Sequence, residues 1–188
     1  MLVLSVSSLK GGVGKTSVTL GLASAALSRG IPTLVVDMDP QADASTGLDV
    51  PVTTPADIAD VLAAPKSKLV KQAITPSGWV EGKHGVLDVI PGSPRAAEFD
   101  RPSLSDRYLK RLREAITRNG SKYRLVLIDC PPSLNGLTRA AWTASQRVLI
   151  VTEPGLFSVA AADRALRATD ELRRRSAAKL QPLGIVVN

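Results

Sequence analysis

The run Lys10-Gly11-Gly12-Val13-Gly14-Lys15-Thr16-Ser17 limits this chain more than any other stretch. An aliphatic, strand-like segment, Leu2–Val6, leads into it. A helical pattern over Lys15–Arg29 leads out, with Val18, Leu22, Ala25 and Ala26 at helical spacing and a stop at Gly30 just before Pro32. Glycine-rich turns between a strand and a helix turn their backbone N–H groups inward, and the helix N-terminus adds positive potential there. That is the context a phosphate-binding loop needs. Lys15 is positioned to reach β- and γ-phosphates, Thr16 to offer a hydroxyl to Mg²⁺, and Ser17 to bond an α-phosphate. The expected ligand is a nucleoside triphosphate with Mg²⁺, ATP first among them. The competing reading is a glycine-rich turn that carries Gly-Lys-Thr by chance.

Further short aliphatic runs follow: Thr33–Asp37, Val86–Ile90, Leu125–Asp129, Val148–Thr152 and Leu183–Val187. They are continuous rather than alternating, which predicts strands buried on both faces. Helical patterns lie between them at Asp57–Ala64, Ser105–Arg118, Asn135–Ser145 and Ser158–Leu180. Leu109, Leu112 and Ile116 mark one face of the second. Val159, Ala162, Leu166 and Thr169 mark a stripe on the last, with Ser158 as its expected N-cap. The alternation predicts an α/β fold, a mainly parallel twisted sheet with helices on both faces and ligands at the carboxyl ends of the strands. Residues 1–188 read as a single P-loop NTPase domain. Pro51–Gly85, richer in Pro, Gly and Lys, reads as a peripheral excursion.

Two other places carry carboxylates at strand ends. Asp129 closes an aliphatic strand and, paired with the loop, is the expected metal partner. Asp37 and Asp39 stand two apart in Val35-Val36-Asp37-Met38-Asp39-Pro40-Gln41, on one side of an extended backbone. One of them is placed to position an attacking water, or one caps a turn before Pro40. Lys10 is a second lysine at the start of the glycine run. On the usual course of such a loop it points away from its own γ-phosphate. It is then either a charge clamp for a partner chain, delivered in trans like an arginine finger, or a solvated surface lysine.

Composition narrows the classes. Aromatics make up 3% of the chain, too few for a reader of single strands that works by base stacking. One cysteine, Cys130, and one histidine, His84, give no support to a zinc site or an internal disulfide. No signal peptide precedes Leu2–Val6 and no run spans a bilayer, so the expected setting is cytoplasmic without a membrane. The net charge of +7 favours polyanions. Arg164, Arg167, Arg174 and Arg175, with Arg173 and Lys179 beside them, and Arg107, Lys110, Arg111, Arg113 and Arg118 recur at helical spacing. They are candidate phosphate contacts of a sequence-blind kind, or ordinary solvated faces.

Lys10–Thr16 resembles the deviant Walker A motif of the ParA/MinD ATPases. Asp37-Met38-Asp39-Pro40-Gln41 looks like the ParA form of the following motif. Leu127-Ile128-Asp129-Cys130-Pro131-Pro132-Ser133 is similar to the Walker B strand and its switch. Val151-Thr152-Glu153-Pro154 with Phe157-Ser158 is similar to a strand-to-helix junction of partition proteins, and Gly184–Asn188 to the strand leading to the adenine pocket. The resemblance implies a homodimer formed on ATP binding, with nucleotide held by Lys10, Gly11, Gly12, Val13, Gly14, Lys15, Thr16, Ser17 and Asn188. It gives Lys10, Lys15 and Asp39 catalytic parts and assigns the metal to Thr16, Asp39 and Asp129. It implies slow, partner-stimulated hydrolysis, non-specific binding to double-stranded DNA on the nucleoid and a ParB-like centromere-binding partner. The chain departs from the family in Ala42-Asp43-Ala44, where Gly-Asn-Ala is usual. It also ends at Asn188, where relatives often continue, and reads as shortened or compact. The competing readings are a MinD-like membrane-cycling regulator and a small-molecule enzyme or metal-cluster carrier on the same fold.

Overall fold

The protein is described from a computed structural model covering residues 1–51, 53–80 and 85–188. His84 lies outside these residues. Among the described residues seven strands form one sheet: β1 (Leu2–Ser7), β2 (Thr33–Asp37), β3 (Thr75–Pro76), β4 (Leu87–Ile90), β5 (Leu125–Asp129), β6 (Arg147–Thr152) and β7 (Gln181–Val187). Their spatial order is β3-β4-β2-β5-β1-β6-β7, and every neighbouring pair is parallel except β3 with β4. The expected mainly parallel α/β architecture is what the chain adopts.

Successive residues of the central strands enter opposite cores, which is why their sequences are continuously aliphatic. Leu4, Val35, Leu127 and Leu149 face α1 (Lys15–Ser28) and pack with Ala23. Val3, Val36, Ile128 and Ile150 face the other way, onto Leu112, Leu137 and Trp142. These last come from α6 (Arg111–Asn119) and α7 (Gly136–Ala144). Adjacent β1 and β5 send their crossovers in opposite directions, through α1 on one face to β2 and through α7 on the other to β6. A crevice opens at their carboxyl ends, where such sheets bind ligands.

Several expectations change. The pattern over Ser105–Arg118 is two helices, α5 (Asp106–Leu109) and α6, meeting at Lys110. Next to that break Arg111 donates to Leu62 O (2.7 Å) and Ala63 O (3.0 Å) and lies 4.5 Å over the Tyr108 ring. Arg111 is therefore a structural cap for α3 (Ile58–Ala63) rather than a free phosphate contact.

The stretch read as peripheral also builds core. Asp57 caps α3 in a reciprocal box with Asp60, and Ile58, Val61 and Leu62 are buried. With Val70 and Ala73 of α4 (Ser67–Ala73) they fill the core beside Leu34, Val36 and Ile90. An extra short helix, α2 (Asp43–Gly47), follows β2.

The long final helix, α8, runs Leu156–Arg175 from Gly155, so Ser158 is not its N-cap. Its buried stripe is Ala161, Ala162, Ala165, Thr169 and Leu172, while Val159 stays 64% exposed. Among the described residues no helix is long and apolar enough to cross a membrane.

Candidate functional site

The loop from Ser8 to Gly14 joins β1 to α1 at the crevice. Ser8 bonds both the N–H and the C=O of Lys10, fixing the entry turn. Val13 is buried against Val6 and Val151 and pins the loop to the sheet. Gly12 (φ 77°) and Gly14 (φ 86°) hold left-handed conformations that side chains resist. Nothing lies within 4 Å of where a Cβ would stand on Gly11 or Gly12, so that face of the loop is open to a ligand. A cleft of about 380 Å³ lies over it. Lys10, the loop, Thr16 and Ser17 line one side, and Asp39, Gln41, Asp43 and Pro132 the other.

Below the loop the ends of β1, β2 and β5 bring the predicted residues together. Lys15 Nζ is 2.9 Å from Asp129 Oδ2 and 3.7 Å from Asp39 Oδ2, and it donates to Thr16 Oγ1 at 3.2 Å. Thr16 donates to the same Asp129 oxygen at 2.8 Å. Thr19, one helical turn beyond Lys15, donates to Asp129 Oδ1 at 2.9 Å. Sequence reasoning passed over Thr19. The i, i+4 spacing from Lys15 was the signal that could have found it.

The two carboxylates of the second motif separate into different parts. Asp39 lines the cleft, and its Oδ1 accepts the Gln41 N–H. Asp37 is fully buried. It accepts the Ser45 N–H (2.8 Å) and hydroxyl (2.7 Å) and, on its other oxygen, the Asp39 N–H (3.1 Å). Burial pushes its carboxyl up to about 6, against the lowering effect of the Ser45 hydroxyl. Gly92 N donates to Ser45 Oγ, and a Cβ on Gly92 would stand 2.9 Å from both Asp37 Cγ and Asp39 O. Asp37 thus organises the turn that carries Asp39 and does not itself face the cleft. Ser45 and Gly92 carried no sequence signal of this part.

Beyond Asp129 the chain enters Pro131-Pro132-Ser133. Asp100, at the end of a 3₁₀ turn over Pro94–Phe99, accepts from Ser133 Oγ, Asn135 Nδ2 and Leu137 N. Cys130 is buried, and burial holds its thiol up at about 12, so it has a core role.

Lys10 lies at the rim, paired with Glu153 of the same chain. Asn188 is held by its N–H on Thr152 O and by its side-chain amide on Val13 O, tight against Gly14. It therefore touches the outer side of the loop.

Of the candidate DNA residues, Arg167, Arg174 and Arg175 share one shallow surface groove on α8 with Asp170 and Glu171. Arg167 pairs with Asp163 and Arg175 with Glu171, which dilutes their field.

The donors suit a triphosphate and a hard cation. Backbone N–H groups and Lys15 meet phosphate oxygens, while Thr16, Asp129 and Asp39 supply only oxygen atoms. Mg²⁺ keeps several waters and needs few protein ligands of this kind.

A family profile described as an AAA domain (AAA_31) matches residues 1–182. The chromosome partitioning protein ParA of Caulobacter vibrioides is 33% identical over 190 residues, covering 98% of this chain and 68% of that protein. Cobyrinic acid a,c-diamide synthase from Mycobacterium smegmatis, solved with a bound ATP analogue and magnesium, superposes with a TM-score of 0.84 at 25% identity. That match covers all of this chain and 74% of the synthase. The cell division ATPase MinD of Pyrococcus furiosus superposes at 0.75 with 28% identity, over all of this chain and 71% of MinD.

Proposed function

This chain belongs to the ParA family of ATPases, and from that premise we propose that it is an ATP-driven DNA-partition switch. In this reading one chain binds ATP with Mg²⁺ and pairs with a second copy. The pair then holds DNA without regard to sequence until a ParB-like partner triggers hydrolysis. The observation that carries the nucleotide part is the convergence of Lys15, Thr16, Asp39 and Asp129 beneath an open glycine loop.

Each residue then has work set by its chemistry. The loop N–H groups and Lys15 bind and orient the phosphates and offset their charge. When bound, Mg²⁺ would supply charge neutralisation at the phosphoryl group. Asp39, at the cleft wall with one oxygen fixed by the Gln41 N–H, is positioned to accept a hydrogen bond from the attacking water. Thr16, Asp129 and Asp39 would hold the metal, and Asn188 would support the loop beside the base. Ser17, exposed at the first turn of α1, would meet the α-phosphate.

Lys10 sits about half exposed at the rim, where a second copy could receive it. That position supports the trans clamp and the homodimer. The net charge of +7 supports a polyanionic partner, and Arg164 and Arg174, which form no ion pair among the described residues, are the first α8 residues to test. The association with the nucleoid in the cytoplasm follows from the same reading.

Co-sedimentation with plasmid DNA and with anionic liposomes, each with and without ATP, tests the proposal. ATP-dependent recovery with DNA is the expected result. ATP-dependent recovery with liposomes and not DNA would replace it with a MinD-like role.

A further inference from the structure

The three side chains assigned to the divalent metal surround a cation that belongs to the chain itself. Lys15 Nζ lies 2.9 Å from Asp129 Oδ2, 3.7 Å from Asp39 Oδ2 and 3.2 Å from Thr16 Oγ1. The ammonium is enclosed: the Lys15 side chain is 9% exposed and that of Asp129 is fully buried. Thr16 spends its proton on Asp129 Oδ2 and accepts from Lys15, so its hydroxyl has a donor where a metal would need a lone pair. Asp129 Oδ1 is occupied by Thr19. Both oxygens of Asp129 therefore have donors from the chain itself.

We propose that Lys15 is a tethered stand-in for the divalent metal, closing the site to free Mg²⁺ until phosphate oxygens draw the ammonium away. The inference rests on reading the cleft as a nucleotide site and concerns how that site is loaded. Two buried carboxylates without a cation are strongly unfavourable, so Lys15 does not leave to solvent. A triphosphate offers the ammonium a new set of anionic oxygens and brings its own metal to the vacated carboxylates. Metal and nucleotide then enter together, and Mg²⁺ alone cannot pre-load the site.

The test uses Mn²⁺ without nucleotide on the whole chain, followed by electron paramagnetic resonance of the free ion. Wild type should show no tight site. Lys15→Ala and Lys15→Gln should each gain Mn²⁺ affinity by about tenfold or more, since one positive charge leaves a buried carboxylate. Adding Asp129→Asn to Lys15→Gln should abolish the gain. If Lys15→Ala folds poorly, Mn²⁺ alone should restore its melting temperature, and Lys15→Gln keeps a hydrogen-bonding group in place. Tight Mn²⁺ binding by nucleotide-free wild type would overturn the proposal, as would variants that bind Mn²⁺ no better than wild type. A fluorescent ATP analogue, measured separately on wild type, tests the cleft assignment. Failure there would remove the nucleotide reading and leave the metal comparison to be judged by its own result.

Discussion

The Thr19 hydroxyl donates to Asp129 Oδ1 at 2.9 Å, while Oδ2 of the same carboxylate takes Thr16 and Lys15. One oxygen is thus held by Thr19 one turn into α1, and the other by Thr16 and Lys15, which line the cleft.

Thr19→Val keeps the shape and removes that lock. A buried carboxylate oxygen left without its donor costs about 1–3 kcal/mol. Urea melts should register that loss, and the Mg²⁺ concentration for half-maximal turnover should rise several-fold, to about threefold or more. Thr19→Ser should recover most of both. An unchanged Mg²⁺ requirement would show that Asp129 needs no such orientation.

Gly92→Ala introduces a methyl 2.9 Å from Asp37 Cγ and Asp39 O and 3.0 Å from Ala42 Cα. Two of these three neighbours are backbone atoms, so the turn itself must shift. A loss of about 1–3 kcal/mol is expected. Because the displaced turn carries Asp39, turnover should fall further than nucleotide affinity does. Equal losses in both would detach Asp39 from the hydrolytic step.

Asp37 titrates in the fold near 6 rather than at the usual 3.8, because burial disfavours its charge. Between those values the native state binds more protons than the unfolded chain. This group's contribution therefore lowers stability as pH rises from about 4 to about 6. Asp37→Asn carries a fixed cost where its amide NH₂ meets the Asp39 N–H, but it removes the slope. Melts across that range should move steadily in favour of the variant as pH increases. A gap that stays constant would contradict the raised value.

The Lys10–Glu153 pair is half in solvent, where such pairs contribute about 0–1 kcal/mol. Lys10→Ala and Glu153→Gln should leave the melting temperature nearly unchanged. Lys10→Ala should still bind nucleotide yet lose dimerisation and turnover. Full activity in Lys10→Ala would return that lysine to an ordinary surface role.

Asp39→Ala should accumulate the ATP-bound pair, visible as a stable dimer by size-exclusion chromatography with light scattering. Normal turnover would shift the water-positioning part to a group outside the carboxylates of this turn. Asp37, its nearest neighbour in sequence, is turned away into Ser45.

The sheet was legible because its strands are aliphatic runs that stop at informative residues. Thr33–Asp37 and Leu125–Asp129 end where the structure ends them. The phosphate loop was equally plain, since its glycines and lysine need only each other and the flanking elements. What stayed hidden depended on distant partners. Arg111 looked like part of a basic face, and only the α3 carbonyls, far off in sequence, give it a structural task. Val159 looked like a core residue because apolar spacing on a helix rich in alanine admits more than one face. Tertiary contact selected the Ala161–Ala165 side. The separation of Asp37 from Asp39 required knowing that Ser45 and Gly92 close over the first of them.

Asp100 has a mechanical consequence for the segment after Asp129. Donors from Ser133, Asn135 and Leu137 all converge on its one carboxylate. Fastenings spread over several acceptors yield one at a time, and a loop held that way drifts through intermediate positions. Fastenings gathered on a single side chain let go together when that side chain moves. Ser133, Asn135 and Leu137 thus take their positions from one side chain, so a change at Asp100 reaches all three at once.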